Sequence, residues 1–146
     1  MDSYRMNTSA PNMACICIDK TEKLEYSGRI YHRYSREAIP FQNSTQMIMV
    51  LNRFFDDINY PQSSTIYRSL NKGKKAAPDG ASRKTPPPDC SSEWVMEHKG
   101  ERKTIFLQVQ YRQNSTWQGR VVWQEGGKAM IFSSVLELLR ILNQFI

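Results

Sequence analysis

The chain has 146 residues, 40% of them hydrophobic and 11% aromatic, and a formal net charge of +6. That is one domain's worth of polypeptide, apolar enough to close a core. No stretch approaches the roughly 18 consecutive apolar residues of a membrane helix. Met1-Asp2-Ser3-Tyr4-Arg5 lacks the apolar core of a signal peptide. The expected setting is therefore cytoplasmic, with no membrane partner.

Residues 1–12 are polar and include Pro11, and read as a flexible N-terminus. Met13 to Asp19 predicts a first strand, with Cys15 and Cys17 on one face and Ile16 and Ile18 on the other. Lys20 to Ser27 reads as a charged connection. Gly28 to Tyr34 predicts a second strand, with Arg29, Tyr31 and Arg33 on one face and Ile30, His32 and Tyr34 on the other. Ser35 to Pro40 reads as a turn. Asn43 or Ser44 caps a helix reaching about Ile58, whose apolar stripe is Met47, Ile48, Leu51, Phe54, Phe55 and Ile58. Asp56-Asp57 near its end opposes the helix dipole, and Tyr60-Pro61 breaks it. Ser64 to Leu70 reads as a short extra strand or an extension across the sheet. Residues 71–92 hold Lys72, Lys74, Lys75, Arg83 and Lys84 against Asp79 and Asp89, with Pro86-Pro87-Pro88 favouring polyproline II. This segment reads as a basic linker.

Glu93 to His98 reads as a strand extension opening a second unit. Ile105, Leu107, Val109 and Tyr111 alternate on one face of a strand. Trp117 to Gln124 forms another, and Glu125-Gly126-Gly127-Lys128 turns the chain. Ser133 or Ser134 caps a final helix with Val135, Leu138, Leu139, Leu142, Phe145 and Ile146 at three- and four-residue spacing.

The second unit echoes the first. Shifted by 91 positions, Ala14–Phe55 falls on Ile105–Ile146 without a gap, giving seven identities in 42 positions. Average residue usage gives roughly two or three. Gly28-Arg29 meets Gly119-Arg120, Ala38 meets Ala129, Phe41 meets Phe132, and Leu51, Asn52 and Phe54 meet Leu142, Asn143 and Phe145. One β-β-α unit has too little core to stand alone. The expected fold is α+β: two tandem β-β-α units, residues 13–70 and 93–146, sharing one core. They would form one four-stranded, mostly antiparallel sheet with both helices on one face.

No nucleophile–base pairing, metal-ligand spacing or cofactor motif is legible, and the reading is non-enzymatic with no cofactor and no metal. The cysteines, Cys15, Cys17 and Cys90, are odd in number without a C-x-x-C pair, and read as free thiols. His32 falls at the position of Trp123 and reads as a core histidine. What remains is a surface. The face opposite the helices would present Cys15, Cys17, Arg29, Tyr31, Arg33, Phe106, Gln108, Gln110, Arg120 and Val122. Arg29, Tyr31, Arg33, Phe106, Gln108 and Arg120 are the candidate binding residues, with the linker lysines and Arg83 beside them. Such a face suits a protein partner or a homodimer. Arginines interleaved with aromatics suit nucleic acid or a nucleotide as the alternative.

Gln113-Asn114-Ser115-Thr116-Trp117-Gln118-Gly119, Val121, Trp123, Phe132-Ser133-Ser134 and Leu136-Glu137-Leu138-Leu139 together resemble a family of small uncharacterised proteins of clostridial bacteria, within the Firmicutes. The likeness extends to Ser27-Gly28-Arg29-Ile30-Tyr31 and Tyr60-Pro61-Gln62. It implies a bacterial cytosolic setting and contributes no activity. The function expected is that of a small binding or regulatory module.

Overall fold

The computed structural model describes residues 9–62, apart from Leu24, and 85–146. The chain runs β1 (Ala14–Glu22), β2 (Glu25–His32), β3 (Ser35–Phe41), α1 (Ser44–Ile58), α2 (Ser92–Met96), β4 (Lys103–Tyr111), β5 (Gln118–Trp123), β6 (Ala129–Phe132) and α3 (Val135–Phe145). The strands form one sheet in the order β3-β2-β1-β4-β5-β6, and every neighbouring pair is antiparallel. The expected four-stranded sheet is therefore corrected to six strands.

The two additional strands are the edges, β3 and β6. Pro40 made 35–40 look like a turn, because a proline inside a sheet removes a ladder hydrogen bond. At an edge its missing N–H can face outward at no cost. β6 has only four residues and follows Gly126 and Gly127, both at positive φ. A third correction concerns 93–98, expected as a strand. Ser91 Oγ accepts the Trp94 N–H at 3.1 Å and starts the short helix α2 instead. Ser64 to Leu70 and the basic residues Lys72, Lys74, Lys75, Arg83 and Lys84 lie outside the described residues, as do residues 1–8 of the N-terminal segment.

The pairings coincide under the 91-residue shift. Gly28 pairs with Ile18 and Phe41, and Gly119 with Val109 and Phe132. The register slips between Ile18 and Lys20 in β1 and between Val109 and Tyr111 in β4, again 91 apart. At the centre, Ala14 pairs with Leu107, Cys15 with Phe106 and Ile16 with Ile105. Subtracting 91 from the β4 numbers gives 14 with 16, 15 with 15 and 16 with 14. A local twofold axis therefore passes through the Cys15–Phe106 pair. Each half is a β-β-β-α unit, and the two halves join by pairing their first strands.

Both glycines are required by this pairing. A Cβ at Gly28 would collide with the Cys17 carbonyl oxygen, and one at Gly119 with the Gln108 carbonyl oxygen, again 91 residues apart. The helix starts also match. Asn43 Oδ1 accepts the Gln46 N–H at 2.9 Å, and the Gln46 side chain accepts the Gln42 N–H at 2.7 Å. Ser134 Oγ accepts the Glu137 N–H at 3.0 Å, and Glu137 accepts the Ser133 N–H at 2.7 Å.

Both long helices lie on one face, as expected. Met47, Leu51, Phe54, Phe55 and Ile58 of α1 and Leu138, Ile141 and Leu142 of α3 share one core with Ile16, Ile18, Ile30, Ile105, Leu107, Val109 and Val121. His32 sits in this core, stacked on Phe54 at 3.8 Å, with Nδ1 accepting the Tyr34 N–H at 3.0 Å. Burial pushes its pKa down to about 4. Buried Arg112 ties the end of β4 to α1, donating to Asp56 at 2.7 Å and to the Pro61 carbonyl at 2.7 Å. Asp56 thus has an ion-pair partner rather than an unrelieved place at the negative helix end.

Candidate functional site

The face opposite the long helices is not the exposed platform the strand pattern suggests. A second, smaller core lies there: Met13, Cys15, Cys17, Tyr31, Val95 and Phe106, with Trp94 and Met96 packed against it. Helix α2 and the chain after it close over β1 and β2. His98 stacks on the Tyr31 ring at 3.7 Å, and Trp94 meets both rings edge-on at 4.7–5.9 Å. Of the candidate binding residues, Tyr31, Phe106 and Gln108 are buried. An aromatic ring offered to a base must expose its face, and these two rings are spent on packing.

The arginines have structural work. Arg29 donates to both carboxylate oxygens of Asp19 at 2.9 and 3.0 Å, to the Tyr31 hydroxyl at 2.8 Å and to the Lys99 carbonyl at 3.0 Å. It thereby clamps the segment after α2 onto the sheet. The Arg29 guanidinium, followed by the Glu101 N–H, holds the Asp19 carboxyl below its usual range. Arg33 donates to the carbonyls of Cys90 and Ser9 at 2.9 and 3.0 Å, fastening 90 and 9 to the end of β2.

Arg120 is half-buried, and Gln110 stands where the first half has Asp19. The two arginines after glycine do not converge. Arg29 pairs with Cys17 and Arg120 with Gln108. These lie on β1 and β4 in rows four residues apart, since Cys17 pairs with Thr104. With three strand spacings between β2 and β5, the two backbones are roughly 20 Å apart. The glycine beside each is filled by neighbouring backbone, so it makes no opening for a ligand.

The two sheet edges differ. β3 carries Arg36, Glu37 and Pro40. Charges and proline at an edge discourage a further strand from adding. β6 is Ala129-Met130-Ile131-Phe132, with no charge and no proline, and Ile131 is 57% exposed. Among the described residues no strand pairs with its outer side. Met49, Tyr111 and Leu136 are exposed as well, but none sits on an edge strand. Strand brevity hid β6 from the periodic pattern, although an uncharged apolar tetrapeptide between a Gly-Gly turn and a helix cap was the available signal.

No helix among the described residues is long and apolar enough to cross a membrane. Comparison with family models, with curated proteins and with solved structures finds no match.

Proposed function

We propose that the protein is a small, non-enzymatic binding module of the bacterial cytoplasm that acts as a homodimer joined through β6. The observation carrying this reading is the contrast between edges at one register: Pro40 on β3 and exposed Ile131 on β6 occupy equivalent positions, both paired with an arginine of the neighbouring strand. An apolar edge presents unpaired backbone groups and a side chain that gains by leaving water. A four-residue strand run antiparallel to its own copy closes under a twofold axis, which stops assembly at two chains. The nucleic-acid alternative draws on Arg29, Tyr31, Arg33 and Phe106, whose side chains are engaged in the protein's own packing and hydrogen bonds.

The test is analytical ultracentrifugation of the parent and of Ile131→Lys, with and without nuclease treatment. The parent is expected to sediment as a dimer in both conditions and the variant as a folded monomer. A monomeric parent at the highest soluble concentration, or a dimer unchanged by Ile131→Lys, overturns the edge reading. Association lost on nuclease treatment overturns it in favour of nucleic acid.

A further inference from the structure

The most chemically distinctive place in the molecule is the second core under α2. Cys15 and Cys17 lie two residues apart on β1, so both side chains point to the back of the sheet. Their sulfurs are 3.8 Å apart, and both residues are fully buried. Fully buried Met13 and half-buried Met96 belong to the same cluster. The Arg29 backbone pairs directly with Cys17, and its guanidinium is one of the groups that act on the thiol.

We propose that this cluster binds one monovalent copper ion, held by the Cys15 and Cys17 thiolates, with a methionine thioether as the third donor. Two fates are open to a close thiol pair. Two residues of extended strand span about 6.4–6.8 Å, at the upper limit of the about 4.4–6.8 Å between Cα atoms that a disulfide takes. Closing the sulfurs to about 2.05 Å would pucker a central strand paired on both sides. A bridging ion leaves the two sulfurs at their present separation of 3.8 Å. Two thiolate bonds of about 2.2–2.3 Å spanning 3.8 Å enclose an angle of about 110–120°, which suits a three-coordinate centre.

The donor set chooses the ion. Among the described residues no group of three or more His, Cys, Asp or Glu is arranged to hold a metal, so a four-ligand zinc site is not built here. Two thiolates beside thioethers are soft donors, which select monovalent copper. Binding replaces two thiol protons with one positive charge, leaving a single excess negative charge close to Arg29. The aromatic cover of Tyr31, Trp94 and His98 keeps water from the centre.

The experiment is an anaerobic competition between the reduced full-length protein and a chromophoric chelator of monovalent copper. One copper per chain is expected to leave the chelator. Cys15→Ser with Cys17→Ser should remove none, and Cys90→Ser, which is not a member of the cluster, should remove as much as the parent. No transfer to the parent, equal transfer to the double variant, or a requirement for Cys90 would each overturn the site. Because buried Cys→Ser changes can unfold a protein, X-ray absorption of the parent's copper complex gives a second reading. A shell of two or three sulfurs at roughly 2.2–2.3 Å supports the site, and a shell dominated by nitrogen or oxygen overturns it.

Discussion

In the first half of the sheet, α2 lies over Tyr31, Cys15 and Cys17, and the edge strand β3 carries Arg36, Glu37 and Pro40. In the second half, Arg120 and Val122 are half-buried, and the edge strand β6 is uncharged with Ile131 exposed. The register is the same in both. Gly28 and Gly119, Phe41 and Phe132, and Leu51 and Leu142 agree because strand approach and core volume allow few alternatives there. Asp19 and Gln110, His32 and Trp123, or Pro40 and Ile131 differ because the scaffold tolerates either. The differences are therefore where each half has its own properties, and each can be tested against its counterpart.

The largest effects should be equal in the two halves. Leu51 and Leu142 are both fully buried at equivalent places in α1 and α3. Leu51→Ala and Leu142→Ala should each cost about 2–5 kcal/mol, read from urea midpoints. One variant unchanged while the other collapses would mean that the halves do not share a core.

Next comes a property of the first half alone. His32 is neutral in the folded protein until about pH 4, while an unfolded histidine titrates near pH 6.5. Between those values the unfolded chain binds the extra proton, so stability is full above about pH 6.5 and falls as pH drops towards 4. The loss approaches about 3 kcal/mol. Trp123 holds the equivalent place with no ionisable group, so His32→Phe should flatten the slope in that window and leave the region below it to the carboxylates. An unchanged slope would place the titration elsewhere.

Arg112 is a property of the second half, since the first has Thr21 at that position. Arg112→Ala strands the Pro61 carbonyl and removes the tie to α1. A loss of about 1–3 kcal/mol is expected. Asp56→Asn should cost less, because the Asp56 side chain is 59% exposed and solvent screens the pair. The reverse order in denaturant melts would contradict this assignment.

Legibility in the sequence followed distance along the chain. The period of two exposed most of β1, β2, β4 and β5, and the caps at Asn43 and Ser134 placed both long helices within a residue. The 91-residue echo carried the helix face and the glycine pairs, all local patterns repeated. β3 was hidden because Pro40 signals a turn unless one knows that its strand is an edge, which is a fact about the whole sheet. α2 was hidden because Trp94-Val95-Met96 is an apolar run that suits either a strand or a helix. Its consequence was the larger error. Strand alternation put Cys15, Tyr31 and Phe106 on one face, but nothing local says that a segment some sixty residues beyond Tyr31 returns to cover them. The same alternation did place Cys15 and Cys17 side by side. Their separation and their methionine neighbours needed three dimensions.

The smallest expected change in stability comes from the most direct test of the comparison. Pro40 and Ile131 are equivalent, paired with Arg29 and Arg120. The first half shows that proline fits at this register, because a proline there takes no bond from the ladder. Ile131→Pro should therefore leave the fold intact, with a change within about 1 kcal/mol, while removing an outward N–H that a second chain needs. Dimerisation through β6 should fall sharply. The reciprocal change, Pro40→Ile, restores an N–H to the β3 edge and removes its proline block, with Arg36 and Glu37 still present. It should add weak self-association without strengthening the β6 contact. The pair of variants, compared by sedimentation, separates edge chemistry from general stickiness. A dimer that survives Ile131→Pro in a folded protein would move the interface to another surface, with the exposed Met49 and Leu136 on the helix side as the next place to look.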